Sequence, residues 1–257
     1  MIDLRTGNCL NMALDLEDNS IDCTVTSPPY NKRGAGNGEF FKKIKYADFD
    51  DTLPEDEYQE QQIELLDIIC DKTKESGSLF YNHKVRYIDG ESISPWEWLS
   101  KTKWNIREEI IWSRGSGLEV SGYRFVQTDE RVYWLCKSKK HPKLPRRSAN
   151  WNSVWQFSPD AKNPHPAPYP INLPARCIQA VMQTPGLVFD PYSGSGTTGL
   201  AATLLGHDYI GFDLTEEYHQ MARERFENPS KGDLRRFQLE TGVAATSDSD
   251  VFSLADS

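Results

Sequence analysis

Two short stretches of this 257-residue chain carry residue types able to do chemistry at a bound ligand. The first is Ser27-Pro28-Pro29-Tyr30. Consecutive prolines remove two backbone N–H donors, stiffen the turn and leave carbonyls pointing outward. Ser27 Oγ and the Pro28 carbonyl are acceptors that could hold an amino group, while Tyr30 offers a flat face to a planar ring. A Pro-Pro turn after a strand is common, so the tetrapeptide alone is also compatible with a purely structural role. The second stretch is Asp190-Pro191-Tyr192-Ser193-Gly194-Ser195-Gly196-Thr197-Thr198-Gly199. Its glycines allow the backbone to pass close to a ligand, and a helix opening there would add unpaired N–H donors. Asp213 lies nineteen residues after Gly194, where an acid in such folds accepts hydrogen bonds from ribose hydroxyls. The glycine pattern by itself suits a nicotinamide or flavin dinucleotide equally well. Asp190, directly before the turn, would repel a pyrophosphate but suits the sulfonium and amine of S-adenosylmethionine (AdoMet).

For these residues to converge, each must sit at the carboxyl end of a strand in one open sheet. Asp22 to Thr26 reads as a short strand that the prolines terminate. Tyr58, Leu65, Leu66, Ile69 and Cys70 share one face of a helix spanning about residues 54–74. Gly77 leads into a strand at Ser78–Tyr81, and further strands are expected at Glu109–Trp112 and Arg131–Leu135. A helix over about 173–183 precedes the strand Leu187–Asp190. The glycine turn opens a helix over about 197–205 that Gly206 caps. The strand Tyr209–Asp213 and a helix over about 216–226 complete the pattern. Alternating strands and helices imply an α/β fold, a Rossmann-like, doubly wound, mostly parallel sheet. The expected organisation is a single domain over 1–240, with an irregular insertion at about 138–162 and a disordered acidic tail at 241–257.

Five cysteines lie scattered without a CxxC pair, which argues against a disulfide framework or a metal site and for a reducing, cytoplasmic compartment. No signal-peptide layout or membrane-length apolar run is expected. The net charge is −9; four acids and no base fall in the last eighteen residues, so the remainder carries −5. Contact with a polyanion must therefore come from local clusters. One comprises Lys32, Arg33, Lys42, Lys43 and Lys45; the other runs from Lys137 through Lys139, Lys140 and Lys143 to Arg146 and Arg147. Charge runs are ordinarily solvated faces, but Trp151 and Trp155 beside basic residues suit nucleic acid. The series Trp96, Trp98, Trp104, Trp112 reads as core and rim, and His83 as structural.

Taken together, the motifs resemble the β-class DNA amino-methyltransferases, the cytosine-N4 and adenine-N6 family. That family carries Asp/Asn/Ser-Pro-Pro-Tyr/Phe as its catalytic motif and an Asp-Pro-Phe-x-Gly-Ser-Gly-Thr-Thr cofactor loop, here with Tyr192 for Phe. The catalytic motif precedes the cofactor loop, the permuted order of the β class. Asn163-Pro164-His165-Pro166-Ala167-Pro168-Tyr169-Pro170 resembles the segment that closes over the methionine end of AdoMet. The resemblance covers about residues 2–228. It implies Ser27, Pro28, Pro29 and Tyr30 as catalytic residues. It implies AdoMet as cofactor, bound by His165, Pro166, Asp190, Tyr192, Ser193, Gly194, Ser195, Gly196, Thr197, Thr198 and Asp213. Double-stranded DNA is the implied partner, met by the two basic clusters and Trp151 with the target base flipped out. A homodimer and a cognate restriction endonuclease are both compatible with the resemblance. One departure is the short target-recognition stretch of about 26 residues, so that base readout is expected to be shared with the 31–45 loop. Ser27 and the His165–Pro170 segment resemble cytosine-N4 members. Cytosine N4 is therefore the expected target, with adenine N6 as the alternative and a nicotinamide-dependent oxidoreductase as a remote rival.

Overall fold

The computed structural model describes residues 1–31, 53–115, 117, 122–140, 143–160 and 169–243. Lys32, Arg33, Lys42, Lys43, His165, Pro166 and the tail after Val243 lie outside the described residues. The chain forms β1 (Ile2–Thr6), α1 (Cys9–Leu14), β2 (Ile21–Thr26), α2 (Glu55–Lys72), β3 (Thr73–His83), the hairpin β4 (Arg86–Ile88) and β5 (Glu91–Ile93), and α3 (Trp96–Leu99). There follow β6 (Asn105–Ser113), β7 (Asp129–Cys136), β8 (Val154–Gln156), α4 (Asn172–Val181), β9 (Leu187–Asp190), α5 (Thr197–Leu204), β10 (Asp208–Asp213), α6 (Glu216–Glu227) and α7 (Lys231–Thr241).

One eight-stranded sheet has the order β1-β10-β9-β2-β3-β7-β6-β8. Every neighbouring pair is parallel except the two that β7 makes, with β3 and with β6. The fold is thus the Rossmann-like, mostly parallel sheet that the sequence implies. Its central strands are apolar on both sides because helices cover both faces. In β7, Val132, Trp134 and Cys136 join one core with α4, α5, α6 and α7, while Tyr133 and Leu135 join the other with α2 and α3. Trp98, Trp104 and Trp112 are buried and Trp96 is partly exposed, the core-and-rim arrangement expected of that series.

Three features depart from the sequence reading. Gly77 lies inside β3 rather than before it, at a register irregularity opposite Ile21–Cys23. A Cβ there would fall 2.3 Å from Thr73 Cγ2 and 3.1 Å from the Ile21 carbonyl, so close strand approach, not a turn, requires the glycine. The 138–162 insertion supplies β8, which adds to the sheet edge beside β6 and buries Trp155 and Phe157. Finally, α7 follows α6: Ser230 Oγ caps its first turn by accepting from the Asp233 N–H, and Phe237 is fully buried.

Candidate active site

The adjacent strands β2 and β9 end side by side, which brings the two sequence motifs together. At the base of the join Thr26 Oγ1 donates to Asp190 Oδ1 at 2.8 Å. The same oxygen accepts from the Tyr192 N–H at 3.0 Å. Asp190 Oδ2 accepts from Thr198 Oγ1 at 2.8 Å and from the Tyr169 hydroxyl at 3.2 Å. Asp190 is fully buried, and loss of hydration pushes its carboxyl up to about 6 despite the four donors. Both Asp190 oxygens thus accept from protein donors, which tie the loop to β2, α5 and the segment before α4.

The glycine turn has the shape anticipated for it, with Gly194 at φ 50° and Gly196 at φ 74°, both in the left-handed region. Gly196 serves helix packing, since a Cβ there would lie 2.7 Å from Ala222 Cβ and 2.8 Å from the Phe226 ring. The loop's hydroxyls are turned inward. Ser193 Oγ accepts from the Tyr209 hydroxyl at 2.8 Å. Arg225 donates to the Ser195 carbonyl, Ser195 Oγ and Thr197 Oγ1 at 2.7, 3.0 and 3.1 Å. With these hydroxyls engaged by protein partners, the turn presents its backbone, the feature from which the sequence reading expects ligand contact. Tyr192 packs beside α2, where Gln62 Nε2 donates to its hydroxyl at 3.2 Å. Asp213 ends β10 partly exposed, accepting from the Gly194 N–H and the Thr215 N–H at 3.0 Å each. Partial burial raises its carboxyl above the ordinary value, and those two N–H donors oppose the shift. A carboxylate offers about four acceptor positions, so Asp213 keeps capacity for a ligand hydroxyl.

The Ser27–Tyr30 turn is braced from below. Tyr58 of α2 donates its hydroxyl to the Pro29 carbonyl at 2.8 Å. Tyr58 also lies 2.9 Å from His83 Nε2, and the His83 ring sits 4.4 Å from that of Tyr30. Asn31, in the left-handed region at φ 50°, donates to the Leu53 carbonyl. Arg86, 5 % exposed, forms a two-point ion pair with Glu55 at 2.6 and 2.7 Å and donates to the Asn31 carbonyl. Above these contacts lies a polar cluster that the sequence did not reveal. Asn82 Nδ2 lies 2.7 Å from the Tyr30 hydroxyl, 3.0 Å from Glu130 Oε2 and 3.3 Å from Ser27 Oγ. Ser27 Oγ is 2.9 Å from the Tyr30 hydroxyl, which donates to Glu130 Oε2 at 2.9 Å. Asn82 and Glu130 stand at the ends of β3 and β7, brought together by pairing across 48 residues of chain. No local pattern announces them; the only available signal was two polar residues at the ends of buried strands.

The second basic cluster lies elsewhere. Because β7 runs against β3, its exit points to the amino ends of the parallel strands. Lys137 Nζ bonds Asn19 Oδ1 and the Thr73 carbonyl, at the starts of β2 and β3. Arg147 donates to the Gln179 and Met182 carbonyls at the end of α4. Trp151 is half-buried, its ring 5.4 Å from the Arg176 guanidinium, which also covers Trp155 and Phe157. Strand direction thus places Lys137 and Arg147 at the opposite end of the sheet from the Ser27–Tyr30 turn, and Lys139, Lys140, Arg146 and Trp151, expected from the sequence to contact DNA, belong to the same segment.

The Rossmann-like sheet thus brings the glycine turn, the strand-end acid Asp213 and the Ser-Pro-Pro-Tyr turn together at the carboxyl ends of its strands. Comparison with known proteins identifies the family. The N6/N4-type DNA methylase family model matches residues 21–224, and the chain belongs to that family. It is 27 % identical over 258 residues to the Type II methyltransferase M.BglII of Bacillus subtilis, covering 85 % of this chain and 67 % of that protein. It is 27 % identical to M.HpaI of Haemophilus parainfluenzae, covering 89 % and 75 %. In fold it is similar to the PvuII DNA methyltransferase (cytosine-N4-specific), with TM-score 0.72, 20 % identity and coverage of 93 % and 91 %. It is also similar to a putative DNA modification methylase from Thermus thermophilus solved with S-adenosyl-L-methionine. That match has TM-score 0.64, 18 % identity and coverage of 88 % and 95 %. The chain is a DNA methyltransferase.

The buried Asp190 gives a pH test. A carboxyl raised from 3.8 to about 6 binds its proton more tightly in the folded state. Its contribution to stability therefore falls as pH rises from about 4 to about 6, by about 3 kcal/mol. Denaturant unfolding of wild type and Asp190→Asn should show the wild type losing about that much relative to the variant between pH 4 and pH 7. A difference independent of pH would contradict the buried, ionisable state assigned to Asp190.

Proposed function

We propose that this DNA methyltransferase transfers the methyl group of AdoMet to the exocyclic N4 amine of cytosine in double-stranded DNA. The observation that carries the amine reading is the juxtaposition of Ser27 Oγ, the Pro28 carbonyl and the Tyr30 ring on a braced turn beside the glycine loop. The residues on the β9–β10 side fit the cofactor. Asp213 keeps acceptor capacity for ribose hydroxyls, and the left-handed turn at Gly194 and Gly196 lets backbone lie against the ligand. Bound there, AdoMet supplies an electrophilic methyl on a sulfonium.

The chain's own residues then bind and orient. A base inside a duplex is unreachable, so the target must leave the stack at a cost of a few kcal/mol. Stacking on the Tyr30 ring returns about 1–3 kcal/mol of that. Ser27 Oγ and the Pro28 carbonyl accept hydrogen bonds from the amine, drawing its lone pair out of conjugation with the ring and aiming it. Positioning and fixed dipoles supply the acceleration. The choice of cytosine rests on the likeness of Ser27 and of the His165–Pro170 segment to cytosine-N4 enzymes.

Unmodified plasmid incubated with protein and AdoMet, digested and separated by mass spectrometry, should yield 4-methylcytosine. A 6-methyladenine peak without 4-methylcytosine would move the assignment to adenine. Asp213→Ala, which removes a charged acceptor worth about 1.5–3 kcal/mol, should weaken AdoMet binding at least about tenfold in calorimetry. Unchanged affinity in a folded variant would take Asp213 out of the cofactor site.

A further inference from the structure

We propose that Glu130 is the terminal proton acceptor of the reaction, reached from Ser27 through the Tyr30 hydroxyl. The proposal rests on the amine-methylation reading above. Attack of a neutral amine on an electrophilic methyl leaves a cationic nitrogen, which must give up one proton. Ser27, the acceptor nearest the amine, is too weak a base to keep it, so the proton needs a further destination.

The hydrogen bonds of the cluster have a definite direction. The Tyr30 hydroxyl has one proton, and it is donated to Glu130 Oε2 at 2.9 Å. Ser27 must therefore be the donor in its 2.9 Å contact with Tyr30. Among the described residues, Ser27 Oγ in turn accepts only the long 3.3 Å contact from Asn82, which leaves it acceptor capacity. Asn82 contributes only donors to the three oxygens, which holds the chain Ser27–Tyr30–Glu130 in this sense. The other Glu130 oxygen lies 3.3 Å from Arg114. Glu130 is 8 % exposed, a burial that its contacts with Arg114, Tyr30 and Asn82 accommodate.

The step balances. As the N–C bond forms and the S–C bond breaks, the sulfonium sulfur takes the bonding pair and becomes a neutral thioether. One amine proton moves to Ser27 Oγ, the serine proton to the Tyr30 oxygen, and the tyrosine proton to Glu130 Oε2. Ser27 and Tyr30 end neutral, and Glu130 ends as a carboxylic acid that returns its proton to solvent after the product leaves. Tyr30 has two separable functions in this arrangement: its ring bears the base and its hydroxyl passes the proton. Glu130 acts through Tyr30 and is not in contact with the base.

The test uses single-turnover methylation of a duplex carrying a mapped site, with Glu130→Gln, Tyr30→Phe and the double variant. Gln keeps an oxygen to accept from Tyr30 but is far too weakly basic to hold the proton, and Phe keeps the ring. Each single variant should slow methyl transfer about a hundredfold or more, with AdoMet and DNA affinities unchanged. The double variant should be no slower than the singles, because both break one path. Wild type should show a solvent deuterium isotope effect that Glu130→Gln lacks. A full rate in Glu130→Gln, losses that multiply in the double variant, or a loss explained by weaker AdoMet or DNA binding would each overturn the relay. Wild-type protein that binds both ligands yet methylates no base would instead overturn the amine-methylation reading, and the relay with it.

Discussion

A buried carboxylate ties together the ends of two neighbouring strands, and the geometry of the site follows from it. Asp190 receives Thr26 from β2, Tyr192 from its own loop, Thr198 from α5 and Tyr169 from the segment before α4. Burying a carboxylate is costly, and its raised proton affinity records that four donors do not fully offset the lost water. In return, the residue immediately before Ser27 and the loop that opens α5 have one position relative to each other. Methyl transfer needs donor and acceptor aligned closely, and slight misplacement is costly in rate. A join between the two half-sites is therefore a requirement of the chemistry as well as of the fold.

The acceptor side has its own brace. Arg86 and Glu55 are drawn into the interior, and Arg86 stacks over Tyr58 and Trp98 at 4.9 and 5.5 Å. Buried ion pairs contribute little net stability, but removing one partner is strongly destabilising, so such a pair commits its surroundings to one arrangement. Here it commits α2, β4 and the Asn31 backbone around the Pro-Pro turn. Tyr58 adds the hydroxyl that occupies the Pro29 carbonyl. The turn is thus held in one arrangement before any ligand arrives.

Much of this was legible in the sequence, and the exceptions share a cause. Strand and helix positions around β2, α2, β9, α5, β10 and α6 followed from apolar periodicity, glycine and proline, because those signals are local. The glycine turn after β9 and the position of Asp213 at the end of β10 followed in the same way. Asn82 and Glu130 were not, since their meeting depends on antiparallel pairing between distant strands. The 137–147 segment reads as basic by composition, while its position follows from the reversed direction of β7, which carries it toward the amino ends of the parallel strands. Trp151 and Trp155 carried a nucleic-acid signal by type and neighbourhood, yet Arg176 from α4 covers both and pairs with Glu240 of α7. Ser193, Ser195 and Thr197 matched a cofactor motif residue by residue, while their hydroxyls serve the loop's own packing against β10 and α6.

The account stands on one claim, that the glycine turn after β9 and the Ser-Pro-Pro-Tyr turn after β2 are two halves of a single methyl-transfer site. A crystal structure of the protein with AdoMet tests it most directly. The account predicts the ribose against Asp213 and the methyl group directed toward Ser27 Oγ and the Pro28 carbonyl. AdoMet bound away from Asp213, or with its methyl turned from Ser27, would contradict it.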